Sequence, residues 1–220
     1  MTPARLADAA AIARLLERYV GIESTNPSLG GPGEAAMADA LEADLIAAGL
    51  DVVRQEVAPG RHNVFGRLGS DPSLPTIVLD AHLDTVPPSD RMEKPGWRGD
   101  TLFGRGTCDD KASLAAMVEA VRQVARSSAP RRANLVLSGT VDEEVTVKGA
   151  EAAVRVLGDA ALIVVGEPTC LDIGTWHKGT TRFTIETRGR AGHSSMPEKA
   201  DNAIMHMGEV LRRIAGLVIP

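Results

Sequence analysis

Three short apolar runs in this chain each stop at a cluster of acid or imidazole, and this repetition constrains the fold more than any other feature. In residues 76–88 (TIVLDAHLDTVPP) the run Ile77-Val78-Leu79 stops at Asp80, His82 and Asp84. In 134–144 (NLVLSGTVDEE) the stop is Asp142-Glu143-Glu144, and in 161–168 (ALIVVGEP) it is Gly166-Glu167-Pro168. Unbroken, β-branched runs of this length are expected of strands buried on both faces. In open α/β sheets, ligands bind just beyond the C-terminal ends of the strands. The three stops therefore predict one chemically active sheet edge.

Helical spacing separates these runs. Leu6, Ala9, Ala10, Ile12, Ala13, Leu16 and Val20 recur with a helix period over 4–20. Met37, Leu41, Leu45 and Ala48 do so over 34–48, with Gly49 as the stop. Strands are expected at 51–57 and 63–68. A helix follows Asp109-Asp110-Lys111, with Leu114, Met117, Val118, Val121 and Val124 on its apolar face. The two acids at its start suit the helix dipole and N-capping. A further helix is expected at 148–157. Strand and helix alternate, which predicts an α/β sheet with helices on both faces. Residues 23–33 and 87–99 read as Gly/Pro-rich loops. After Gly174, Phe183, Ile185 and Thr187 alternate with Arg182, Thr184 and Glu186, the pattern of a strand with one wet face. Residues 202–214 read as a helix with Ile204, Met207, Leu211 and Ile214 inward. This tail reads as the start of a second, α+β unit.

Composition narrows the class. Of the 220 residues, 44% are hydrophobic but only 3% aromatic, so the core must be built largely from Leu, Val, Ile and Ala. A net charge of −5 argues against nucleic acid or an anionic membrane surface as partner. Two cysteines, Cys108 and Cys170, make no disulfide framework and suit a reducing compartment; Cys108 reads as a small buried residue. Asp8, Arg14, Glu17 and Arg18 interrupt any apolar leader, and no uncharged apolar run approaches the length of a membrane span. The expectation is a cytoplasmic protein.

Taken singly, the polar residues have ordinary explanations: an Asp at a helix start caps it, a His after a strand is a loop residue, and a Glu pair is solvated surface. Together, acids at three neighbouring strand ends would repel one another without a cation. His82, Asp109, Glu144 and Glu167 are therefore candidate ligands of a divalent metal; zinc accepts both imidazole nitrogen and carboxylate oxygen. Asp84, two residues after His82, can orient the imidazole through its other nitrogen. Glu143, beside a ligand Glu144, can act as general base on the attacking water.

AHLDTVP (81–87), GRGTCDDKA (104–112), VDEE (141–144) and GEPT (166–169) resemble, in order and character, the motifs of the M20 metallopeptidases. That family includes acetylornithine deacetylase, succinyl-diaminopimelate desuccinylase, aminoacylase and glutamate carboxypeptidase types. Residues 177–204 resemble the opening of the family's lid, or dimerisation, domain. The resemblance implies a zinc-peptidase-like mixed sheet with helices on both faces. It implies a metal-binding catalytic domain over 1–179 and the start of an α+β lid over 180–220. It also implies hydrolysis of an amide bond in an N-acyl amino acid or small peptide by water activated between two zinc ions, with cobalt or manganese as substitutes. His82 and Glu167 would be terminal ligands of one zinc, Asp109 the bridge, Glu144 a ligand of the second and Glu143 the general base. His193 would reach a partner subunit's site in a homodimer and polarise the scissile carbonyl. The family's second metal takes a further histidine from near the C-terminus of a longer chain. After His193 the sequence has only His206, within the expected 202–214 helix, so the resemblance implies an N-terminal portion. The alternative is a catalytically silent metal-binding fragment or dimerising module.

Overall fold

The computed structural model describes residues 8–92 and 94–218. Residues 4–7 of the first expected helix lie outside them. Two compact units emerge, Met1–Asp172 and Ile173–Pro220.

The first unit is built on a five-stranded mixed sheet. Its strands are β1 (Asp51–Ala58), β2 (Arg61–Leu68), β3 (Thr76–His82), β6 (Asn134–Thr140) and β7 (Leu162–Val165), in the order β1-β2-β6-β3-β7. β1, β2 and β6 pair antiparallel, whereas β3 runs parallel to both β6 and β7. The three runs that end in acid or imidazole are thus adjacent and point the same way. His82 lies opposite Thr140, and Asp80 opposite both Ser138 and Val165.

Neighbouring residues on these strands face opposite layers, because side chains alternate along a strand. Val64, Ala81 and Leu137 enter one core with Leu15, Tyr19, Met37, Leu41, Leu45, Leu114 and Val118. These come from α1 (Ala9–Val20), α2 (Ala35–Ala47) and α3 (Lys111–Arg126). Phe65, Val78 and Val136 face the other way, onto Ala153, Val156 and Leu157 of α4 (Lys148–Leu157). Helices cover both faces, as the alternation predicted. α4 starts so close to the sheet that a Cβ on Gly149 would lie 2.0 Å from the carbonyl oxygen of Val141.

One polar knot ties the three helices of the larger core together. Asp44 of α2 accepts from Tyr19 Oη at 2.5 Å and from Arg122 Nη2 at 2.8 Å, and it also pairs with Arg18. Burial, and then the bond to Asp44, push the Tyr19 phenol upward. Asp44→Ala strands a buried hydroxyl and leaves two guanidinium groups facing each other. It should cost about 2–3 kcal/mol, read as a lower urea midpoint; a midpoint equal to the parent's would contradict the role given to this knot.

Four expectations need correction. Residues 87–99 are not wholly irregular: β4 (Gly96–Arg98) and β5 (Thr101–Phe103) form a hairpin, too short for a periodic signal. β7 is not buried on both faces. It pairs with β3 alone, and Leu162 and Val165 are 53% and 59% exposed, since nothing among the described residues covers them. The alternating stretch 182–187 forms no strand: a strand needs a partner ladder, and none lies beside it among the described residues. Finally, α5 (Ala203–Ala215) forms where the helix was expected, but its apolar residues are not inward; Ile204 is 80% exposed. No helix among the described residues is long and apolar enough to cross a membrane.

Candidate metal centre

The site grows from the ends of the parallel strands. β3 ends in His82, which is 97% buried. The turn after β6 carries Asp142, Glu143 and Glu144. The segment after β7, tied back by the Gly166 N–H donating to the Asp80 carbonyl at 2.8 Å, carries Glu167. The turn before α3 supplies Asp109.

These residues converge on the imidazole. One ligand atom each from His82, Asp109 and Glu144 lie within 4.8 Å of one another, and the same holds for His82, Glu143 and Glu167. His82 Nε2 is 2.7 Å from Asp109 Oδ1. His82 Nδ1 is 2.9 Å from the main-chain oxygen of Asp84 and 3.5 Å from its Oδ1, so that nitrogen faces Asp84. The Asp84 carboxylate has further partners: it accepts from the main-chain N–H groups of Glu143 at 3.0 Å and Glu144 at 3.2 Å. The residue placed in sequence beside His82 thus also anchors the turn that bears both glutamates. Glu143 also brings a carboxylate oxygen within 4.8 Å of a ring nitrogen of His82.

The electrostatics follow from crowding. Burial opposes a charged His82, but the bonds to Asp109 and Asp84 outweigh it and push the imidazole up to about 11. The same bond holds Asp109 below the usual carboxylate range. Burial raises Glu144 and Glu167, and the charge of Asp109 adds to both. Burial pushes Asp110 up to about 7. Asp110 precedes α3 without capping it; both its carboxylate oxygens are buried and without a hydrogen-bond partner, so the capping expectation fails there. The donor set fits a divalent cation. One nitrogen and several carboxylate oxygens suit zinc, and a positive charge among them relieves the repulsion that adds to burial in raising Glu144 and Glu167.

Two further histidines, His193 and His206, belong to the second unit. His193 has Nδ1 2.7 Å from Ser195 Oγ. His206 pairs with Asp201 at 2.8 Å. Cys108 and Cys170 are free and exposed, which corrects the buried reading of Cys108. Sequence reasoning passed over Asn26, Glu34 and Arg61, all bonded to Asp142 in the site's turn. Their one common signal is polarity inside otherwise apolar or loop segments.

The sequence model of Peptidase family M20/M25/M40 matches residues 78–219. A Peptidase M20 domain-containing protein of Schizosaccharomyces pombe is 35% identical over 182 residues, covering 80% of this chain and 44% of that protein. The acetylornithine deacetylase of Vibrio campbellii is 33% identical over 216 residues, covering 89% of this chain and 54% of its own length. Among solved structures, a tripeptidase of Staphylococcus aureus shares the fold at a TM-score of 0.67 and 24% identity, over 94% of this chain and 57% of that one. The chain spans about half the length of these relatives. The match over most of the chain and the order of its strand-end motifs lead to one conclusion: the chain belongs to peptidase family M20/M25/M40, a family of metal-dependent hydrolases.

Proposed function

We propose that this site hydrolyses the amide bond of a small N-acylated amino acid or short peptide, with two zinc ions held by His82, Asp109, Glu144 and Glu167. What supports the reading is the convergence of these side chains on one buried imidazole at the ends of three parallel strands. When bound, zinc supplies Lewis acidity that makes water nucleophilic at neutral pH and polarises the scissile carbonyl. The chain's own groups do the rest. Glu143 takes a proton from the attacking water and returns it to the leaving amine as the C–N bond breaks. Asp84 turns Nε2 of His82 toward the acids and fixes the glutamate turn. Residues 1–179 act as the catalytic domain and 180–220 as the start of a lid. His193, by the resemblance of residues 177–204, polarises the carbonyl at the site of a second copy.

Hydrolysis of N-acetylornithine is expected to fall to background after chelation and to return on adding Zn²⁺. Turnover that survives chelation would contradict the proposal. A second reading, zinc binding without turnover, is favoured by one observation: His82 is the sole imidazole in the cluster among the described residues. Retained zinc without hydrolysis is its expected outcome.

A further inference from the structure

Asp142 holds a left-handed backbone, φ 67°, although it is not glycine. A residue of this kind persists only where its surroundings over-determine it, and such residues cluster at functional sites. Here every polar group of Asp142 is held. Its N–H donates to Glu34 Oε1 at 3.2 Å. Its carbonyl accepts from the N–H groups of Thr146 and Val147, at 3.2 and 2.7 Å. Its Oδ1 receives Asn26 Nδ2 at 2.9 Å and Arg61 Nη1 at 3.0 Å, and its Oδ2 receives the Thr146 hydroxyl.

The partners are themselves fixed. Glu34, fully buried, takes Arg61 in a two-point pair, Nε to Oε2 at 2.8 Å and Nη2 to Oε1. Asn26, also fully buried, donates its amide to Asp142 and, at 2.7 Å, to Asp84 Oδ2. The Asn26 Oδ1 accepts from the Ser28 N–H at 3.0 Å, so the amide has one orientation. The loop bearing Asn26 is pinned where Thr25 bridges Thr85, with the Asn26 N–H on the Thr85 carbonyl at 2.9 Å. Asp84 then closes the circuit on the main-chain N–H groups of Glu143 and Glu144. Three buried acids, Glu34, Asp84 and Asp142, thus share Arg61 and the Asn26 amide on one side, with His82 next to Asp84 on the other.

We infer that Asn26, Glu34 and Arg61 are positioning residues: a buried polar frame that sets the Asp142 turn and thereby aims Glu144 and Glu143 at His82. None of the three reaches the imidazole, so each acts through the turn. The inference rests on the reading of Glu143 and Glu144 given above and adds what holds them in place.

The test uses Co²⁺ as a spectroscopic probe of the 220-residue chain, with Asn26→Ala, Arg61→Met and Arg61→Lys. Circular dichroism identifies the variants that fold; if Arg61→Met does not, Asn26→Ala decides. Asn26→Ala and Arg61→Met are expected to raise the Co²⁺ dissociation constant about 10–100-fold and to shift the visible absorption band, because Glu144 leaves its place. Arg61→Lys, which keeps the charge, should recover part of the affinity. A folded Asn26→Ala or Arg61→Met with the parent's affinity and band would overturn the inference, since a purely structural residue alters stability and leaves the band alone. His82→Ala serves as control. If it bound Co²⁺ as the parent does, the metal reading itself would fall and the frame would lose its object.

Discussion

His82→Ala should leave the chain unable to hold zinc tightly, with the dissociation constant rising more than about a hundredfold. Loss of an outer partner of a ligand typically costs about 10–100-fold, and His82 is the proposed ligand itself. It is common to both groups of donors and is their sole nitrogen among the described residues. Its removal leaves Asp109, Glu143, Glu144 and Glu167 without the nitrogen donor on which they converge. The fold should survive, because the cores around Leu41 and Phe65 do not include the imidazole. Competition against a chromogenic chelator gives the affinity. A value within about threefold of the parent's would remove His82 from the ligand set.

Glu143→Gln separates two roles that the geometry brings close together. Glu143 stands with His82 and Glu167 in a group that can hold a metal, yet its proposed work is proton transfer. The amide is nearly isosteric with the carboxylate but cannot take a proton from water at neutral pH. The main-chain N–H that binds Asp84 is untouched by the change. Hydrolysis should therefore fall by about 10²–10⁴-fold while zinc content stays that of the parent. A parallel loss of zinc would mark Glu143 as a ligand, and undiminished hydrolysis would remove it as the base.

Much of the site was legible because its signal is local. An apolar run that stops at acid or imidazole can be read within a dozen residues, and three such runs came together once β3, β6 and β7 paired in parallel. α2 was bounded to within a residue at each end because periodicity and the Gly49 stop fell together in sequence. The frame around Asp142 was not legible, since it is made by contacts across the chain: Asn26 and Asp142 are 116 residues apart, and Glu34 and Arg61 are 27 apart. No spacing rule links them, and a buried Glu34 reads as an ordinary helix-start acid. The failures in the tail have a different cause. Residues 182–187 alternate as a strand should, but alternation reports a face, and a strand also needs a neighbour to accept its hydrogen bonds. β7 does have β3 as its ladder partner, but its apolar side chains, like those of α5, have no cover among the described residues.

The proposed metal centre at the strand ends depends on His82. Zinc per chain, measured by elemental analysis after exhaustive dialysis, tests it most directly when the parent and His82→Ala are run side by side. At least one zinc per parent chain is expected, and none above background in the variant. A zinc-free parent, or a variant that retains the parent's zinc, would contradict it.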